Sequence, residues 1–414
     1  MNINVASETD HLKGVIVHTP GREVTLVTPD FKDELLFDDI IFESDAREEH
    51  QDMLEVFKVA MGNDGSVIEI CDLIGEVFEQ KEAREYFITE MIDELQSTNI
   101  RSVKNELHQL TPKQLLEFAI EGQTKALPDF SLYPSPNILF TRDLAAVINN
   151  GIIISRAAKE ARIRESMLMD TLVEFHPLFD SVRENKFKLE QYDSIEGGDI
   201  LIPSPDLALV GMSERTSFSG IMKAAEAFFS FGIKNVLIVD IPKQRSSMHL
   251  DTIFTFASPT ECIVYPPAIT ARRDNVVCLS QGESGKLVTE LKPSLKKALE
   301  ELMGHEMTFI ECGGEDPVFQ SREQWTDGAN VFALAPGVIV GYERNTNTFN
   351  ALKEHGYEIL NQYEFIDRFK DGSFDPNSGE KLAISFVGNE LCRGRGGARC
   401  MTMPISRNRH FGKL

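Results

Sequence analysis

Residues 145–156 read Ala145-Ala-Val-Ile-Asn-Asn-Gly-Ile-Ile-Ile-Ser-Arg156: an apolar run, an Asn-Asn-Gly turn, and a second apolar run. Short runs rich in Val and Ile, separated by turn residues, predict a hairpin of two buried strands. The same plan recurs in Ile200-Leu-Ile-Pro-Ser-Pro-Asp-Leu-Ala-Leu-Val-Gly211 and in Val331-Phe-Ala-Leu-Ala-Pro-Gly-Val-Ile-Val-Gly341. Each then passes through a polar loop bearing an arginine (Arg162, Arg215, Arg344) toward a helical pattern. Thr252 to Pro266 is a candidate fourth copy, with Arg272 and Arg273 beyond it. A repeated strand-strand-helix unit suggests blades around a pseudo-symmetry axis. Unrelated hairpins of similar composition are the competing reading, and the repeat alone does not separate the two.

Outward from these hairpins the chain stays mixed. Further strands are expected at 13–19, 66–72, 234–241, 308–312 and 397–405. A helix is expected at 217–231, with Phe218, Ile221, Met222, Ala225, Phe228 and Phe229 along one face. Residues 74–124 break the plan and read as consecutive helices. Phe87, Ile88, Met91, Ile92 and Leu95 form a stripe, Thr111-Pro-Lys-Gln114 is a capping-box start, and Gly122 is a stop. No flexible linker flanks them. The expectation is one catalytic domain over 1–414 with a docked helical insertion at 74–124.

Composition bounds the function. Of 414 residues, 42% are hydrophobic and 26% charged, enough to bury a core. The 42 Lys+Arg against 65 Asp+Glu leave a net charge of −23, which repels nucleic acid and anionic membranes and favours small or cationic partners. Six cysteines form no CxxC pair, so neither a disulfide scaffold nor a structural zinc site is expected. The first residues lack a basic and apolar leader pattern, and no apolar run approaches spanning length. A soluble, cytoplasmic protein of a reducing compartment is the expectation.

The candidate chemistry lies outside the hairpins. Near the C-terminus stands Leu391-Cys-Arg-Gly-Arg-Gly-Gly-Ala-Arg-Cys-Met-Thr-Met-Pro404, with Cys400 at its focus. Gly394, Gly396 and Gly397 permit close approach of a substrate, and Arg393, Arg395 and Arg399 supply positive charge that favours a thiolate. Read alone, it is more readily a glycine-rich surface turn with an incidental cysteine. Ser135-Pro-Asn-Ile-Leu-Phe-Thr-Arg-Asp143 is a turn that places Asn137, Phe140 and Asp143 together, and Glu196-Gly-Gly-Asp199 sets two carboxylates around two glycines. In Met248-His-Leu-Asp251, a strand conformation puts His249 and Asp251 on one side, as an acid/base pair or a metal pair. Metal is the weaker option, because no other histidine has a matching spacing. Gly211-Met-Ser-Glu-Arg215 exposes Arg215 on a polar loop. Carboxylates, an imidazole and a thiol, with arginines at the periphery, suit a guanidinium substrate that carries its own carboxylate. Carboxylates bind the planar guanidinium fork, and a thiolate attacks its resonance-stabilised carbon.

Taken in order, Pro136-Asn-Ile-Leu-Phe-Thr-Arg-Asp143, Glu196-Gly-Gly-Asp199, Gly211-Met-Ser-Glu-Arg215, His249-Leu-Asp251 and Gly396-Gly-Ala-Arg-Cys-Met-Thr-Met-Pro404 resemble the arginine deiminases of the guanidine-modifying superfamily. The resemblance runs along essentially the whole chain. It implies a five-bladed α/β propeller with a helical insertion. It implies hydrolysis of free L-arginine to L-citrulline and ammonia through a covalent thiouronium on Cys400, with no metal or organic cofactor. In that scheme His249 is the acid/base, Asp143 and Asp251 grip the guanidinium, and Glu196 assists. Arg162, Arg215 and Asn137 hold the amino-acid end, Phe140 packs on the aliphatic stem, and Arg395 is a mobile arginine. Arg399, where some relatives have histidine, has no assigned role. A homo-oligomer, dimer or tetramer, is expected. The alternatives are an amidinotransferase on the same fold and a non-catalytic arginine binder.

Overall fold

Ala145–Ile148 pairs antiparallel with Gly151–Ile154, as the turn tripeptide predicts. Asn149 takes the left-handed conformation there (φ 51°), and its side-chain amide donates to the carbonyls of Pro205 and Phe231, both at 2.8 Å. The polypeptide then forms the helix Ile163–Phe175 and returns as Lys186–Lys188, parallel to the second strand. The computed structural model describes residues 1–95, 98–190, 192–282 and 285–409.

The same unit, an antiparallel hairpin followed by a parallel strand, recurs around the other repeats. Ile200–Ser204 and Leu207–Met212 are joined by Asn235–Asp240 after the helix Phe218–Ser230. Phe254–Ser258 and Glu261–Val264, the candidate fourth copy, are joined by Thr308–Glu311. Phe332–Ala335 and Val338–Tyr342 are joined by Leu382–Phe386. The two ends of the chain supply the last unit: Met403–Asn408 pairs antiparallel with His11–Val17, which Ser66–Glu69 joins in parallel. Among the described residues the strands form five separate sheets of three to five strands, none closed on itself, in a mixed α/β fold.

Several expectations need correction. The span 397–405 is a strand only from Met403 onward. Before it, the Thr402 hydroxyl donates to the carbonyls of Ala398 (3.0 Å) and Arg399 (2.9 Å), which favours a turn over a ladder. The strand at 66–72 stops at Glu69, whose side chain caps the helix Ile70–Phe78. His249 and Asp251 lie not in a strand but at a single 3-10 turn, Leu250–Thr252. The helix at 217–231 forms with Ser217 as its cap, but Phe218 is 53% exposed and lies off the buried face. Lys186–Lys188, Glu358–Asn361 and Leu287–Lys292 escape a sequence reading because they are partly or largely exposed and carry charge. Val276–Gln281 and Leu382–Phe386 are apolar enough to be legible and fall outside the assigned set.

The helical stretch forms Ile70–Phe78, Lys81–Glu94, Lys104–Gln109 and Pro112–Glu121. Thr111 and Gln114 make the reciprocal capping box, and Gly122 closes the last helix at φ 73°. Phe87, Met91 and Phe118 pack in one apolar cluster with Leu168 and Leu172 of the helix Ile163–Phe175. Each such buried side chain contributes about 1.5–3 kcal/mol relative to an exposed one, so these helices are docked firmly. No helix among the described residues is long and apolar enough to cross a membrane.

Candidate active site

In every unit the chain makes a short turn before its first hairpin strand, and those turns carry the reactive groups. Asp143 lies in the 3-10 turn Thr141–Leu144 ahead of Ala145–Ile148, and Glu196 caps the turn Gly197–Asp199 ahead of Ile200–Ser204. His249 and Asp251 precede Phe254–Ser258, Asn330 precedes Phe332–Ala335, and Cys400 precedes Met403–Asn408. Five distant segments therefore deliver side chains to one buried place.

The geometry is tight. Nε2 of His249 is 2.8 Å from Oε2 of Glu196, and Nδ1 is 3.5 Å from Oδ1 of Asp143. Sγ of Cys400 lies 3.9 and 3.8 Å from the two carboxylate oxygens of Asp251. Asn330 bridges the last two turns: its Oδ1 accepts the Cys400 amide at 3.0 Å, and its Nδ2 donates to the Asp251 carbonyl at 2.9 Å. Cys400, His249, Asp143, Glu196 and Asp251 are all buried. Burial opposes charge on His249, but Asp143, Glu196 and Asp199 outweigh it and raise the imidazole to about 9. Burial likewise opposes ionisation of Glu196, but hydrogen bonding to His249 and the charges of Arg215 and Arg162 hold it well below the ordinary carboxylate range. The imidazole is thus an imidazolium paired with carboxylates, and it has a proton to give.

The arginines around Cys400 do not act as the sequence suggests. Burial, followed by the negative charges of Asp251, Asp143 and Asp327, pushes the Cys400 thiol well above its usual value. Arg393 pairs with Asp39 at 2.8 Å, and the Arg395 guanidinium stacks 3.6 Å over the Trp325 ring. Arg399 turns away to clasp both oxygens of Glu8 at 3.0 Å each and Oδ2 of Asp251 at 2.8 Å. The sulfur is thus a thiol among carboxylates.

The remaining candidates converge on the same site. Arg162 donates to Oδ2 of Asp143 (2.5 Å), Oε2 of Glu165 (2.8 Å) and the Asn137 carbonyl (3.0 Å). Asn137 donates to the Leu35 carbonyl at 2.7 Å, and Phe140 is buried against Phe37. Arg215 is buried with Nε and Nη1 unbonded, only 3.8 Å from Glu196. Nε and Nη1 of Arg395 are also unbonded. Buried guanidinium nitrogens without acceptors are costly, and an anionic group would satisfy them. Asp143, Glu196 and His249 bring nitrogen and carboxylate oxygen atoms within 4.8 Å of one another. Sequence reasoning missed Glu8, Asn330 and Asp327, a buried carboxylate with no hydrogen-bond partner. For Asn330 and Asp327 a signal existed: they precede a repeat hairpin, where Asp143 and Glu196 stand in theirs. Glu8 has no local signal.

Comparison with known proteins fits this assembly. The family model for arginine deiminase matches residues 33–125 and 112–407. The chain is 34% identical to the arginine deiminases of Listeria monocytogenes serotype 4a (strain HCC23) and Bacillus cereus (strain ATCC 10987 / NRS 248), covering 98% of both chains in each case. Among solved structures, the N-terminal domain of the cyanobacterial arginine dihydrolase ArgZ bound to product has a TM-score of 0.53 at 13% identity, covering 96% of this chain and 98% of that one. The amidinotransferase SxtG from Microseira wollei has a TM-score of 0.53 at 13% identity, covering 99% of each. At such identities the solved structures speak for the fold alone. With a family model over most of its length and relatives above 30% identity over nearly all of it, the chain belongs to the arginine deiminase family.

Proposed function

We propose that this protein hydrolyses L-arginine to L-citrulline and ammonia, with Cys400 as the nucleophile. The observation that carries this reading is the placement of the Cys400 sulfur beside the Asp251 carboxylate, in a buried site whose imidazolium, His249, is held by Glu196. The substrate guanidinium lies among the carboxylates of Asp143 and Asp251. Its positive charge offsets the carboxylates that keep the thiol protonated, so on binding the thiol releases its proton to solvent and becomes the thiolate. Sulfur then attacks the guanidino carbon, forming a C–S bond and a tetrahedral adduct. His249 gives its proton to the departing nitrogen, the C–N bond breaks, and ammonia leaves behind a thiouronium on Cys400. Neutral His249 next takes a proton from water as the oxygen adds to the same carbon. Collapse breaks the C–S bond as the new hydroxyl group gives its proton to solvent, releasing citrulline and the thiolate.

Arg215 and Arg395, with their unbonded nitrogens, are suited to the substrate carboxylate, while Arg162 shares Asp143 and Glu165 at the same end. Asn137 and Phe140 line the path of the aliphatic stem. Five hairpin units, the last formed by the two chain ends, support an arrangement as five blades about one axis. Their turns all feed one site, as a propeller with a central active site requires. The shared core of the helices at 74–124 with the helix Ile163–Phe175 supports a single catalytic unit over 1–414. A cytosolic homo-oligomer completes the reading.

Mass spectrometry of enzyme quenched during arginine turnover tests it. The expected result is an amidino-type adduct on Cys400, absent in Cys400→Ala, with citrulline formation in that variant down by about 10⁴-fold or more. An adduct on another cysteine, or full activity in the variant, overturns it.

A further inference from the structure

A second cluster of reactive side chains lies just beyond the strand His11–Val17. His18 follows that strand, Glu69 ends the parallel strand Ser66–Glu69, and Cys71 stands in the first turn of the helix Ile70–Phe78. Oε1 of Glu69 is 3.0 Å from Nδ1 of His18, and Sγ of Cys71 is 3.5 Å from the same nitrogen. One nitrogen, one oxygen and one sulfur thus lie within 4.8 Å of one another. A tetrahedral zinc-type ion binds nitrogen and oxygen at about 2.0–2.2 Å and sulfur at about 2.3 Å, which sets neighbouring ligand atoms roughly 3.3–3.6 Å apart. The distances from the His18 nitrogen match such an arrangement to within a few tenths of an ångström.

The surroundings fix these groups in place. Nε2 of His18 faces Oε1 of Glu23 at 3.0 Å, the outer carboxylate that metal-bound imidazoles ordinarily have. It holds a proton on Nε2, so an ion binding at Nδ1 displaces the proton that this nitrogen otherwise donates to Glu69. Glu23 accepts the Gly21 amide at 2.7 Å, and the second oxygen of Glu69 accepts the Thr19 amide at 2.7 Å. His18 and Glu23 are buried, whereas Glu69 and Cys71 are half-buried, which gives an ion a way in. His50 is fully buried, has neither ring nitrogen bonded, and feels the charges of Glu69 and His18. It adds an unsatisfied imidazole beside the cluster.

We propose that His18, Glu69 and Cys71 form a binding site for a transition-metal ion of the zinc class, oriented by Glu23 and sharing no residue with the arginine site. The three ligands come from positions 18, 69 and 71, a spacing that no short motif reveals. Strand pairing between His11–Val17 and Ser66–Glu69 is what assembles them.

Cobalt(II), a spectroscopic stand-in for zinc, tests the site in the full-length protein after treatment with chelator. Titration is expected to produce a thiolate-to-cobalt charge-transfer band with tetrahedral visible bands, displaced by zinc. The band persists in Cys400→Ala and disappears in Cys71→Ser, where affinity falls at least about tenfold. Zinc raises the melting temperature of the wild-type protein but not of Cys71→Ser. Citrulline formation, measured in the same preparations, shows that Cys71→Ser is folded and keeps this question apart from the role of Cys400. No thiolate band in the wild type, or a band that survives Cys71→Ser, overturns the site and leaves His18 as an imidazolium pinned between two carboxylates.

Discussion

At the scale of single residues, charge pairing decides what each group can do. Arg399 stands next to Cys400 in sequence, yet its guanidinium spans Glu8 and Asp251 and fixes the latter's carboxylate near the sulfur. Burial raises Asp251 above its ordinary value, and the Arg399 charge offsets that only in part. His249 shows the opposite balance, raised to about 9 by carboxylates that outweigh its burial. Its folded value exceeds the unfolded value of about 6.5. The stability it contributes is therefore complete below about pH 6.5 and is lost as pH rises through about 9. Urea denaturation of wild type and His249→Gln across pH 6 to 10 is expected to show a stability gap that is widest at pH 6 and closes toward pH 10. A gap independent of pH would count against the imidazolium.

At the scale of elements, the short turns ahead of each hairpin carry the site, and their glycines are fitted to it. A Cβ on Gly198 would sit 2.7 Å from Oδ1 of Asp143 and 2.7 Å from Nδ1 of His249, between two of the reactive groups. A Cβ on Gly397 would sit 2.7 Å from the backbone oxygen of Asn330 and 2.8 Å from the side-chain oxygen that holds the Cys400 amide. Overpacking of this kind costs about 1–3 kcal/mol of stability, but a displaced acid/base group costs far more in rate. Gly198→Ala is expected to remain folded, with a melting temperature a few degrees lower, while kcat falls by at least about 100-fold. Steady-state kinetics beside thermal melts would separate the two effects. A proportionate loss of both would mean that the glycine serves folding only.

At the scale of the whole molecule, a net charge of −23 surrounds a site lined by carboxylates. A substrate carrying a guanidinium is drawn toward such a field, and salt screens that attraction. Raising ionic strength from low salt to about 0.5 M is expected to lower kcat/KM for arginine by about 2- to 5-fold with kcat little changed. A kcat/KM that does not respond to salt would remove steering from the account.

Much of this was legible in the chain. The hairpins at 145–156, 200–211 and 331–341 were readable because apolar runs around turn residues have few other conformations open to them. The capping box at Thr111 was readable for the same local reason. The five ordered motifs pointed to Cys400, His249, Asp143, Glu196 and Asp251, and folding buries those side chains close together. The rest depended on contacts between residues far apart in sequence. His11–Val17 pairs with Met403–Asn408, and this closure brings Glu8 to Arg399 across the full length of the chain. The three arginines flanking Cys400 read as thiolate-stabilising charges, but folding turns each toward a different partner and leaves carboxylates nearest the sulfur. Local sequence thus determined the elements and the identity of the reactive groups, because backbone preference and side-chain chemistry are properties of neighbouring residues. Only the tertiary structure decided which charges face one another, because electrostatic pairing in a buried site depends on distance in space, and sequence separation does not encode it.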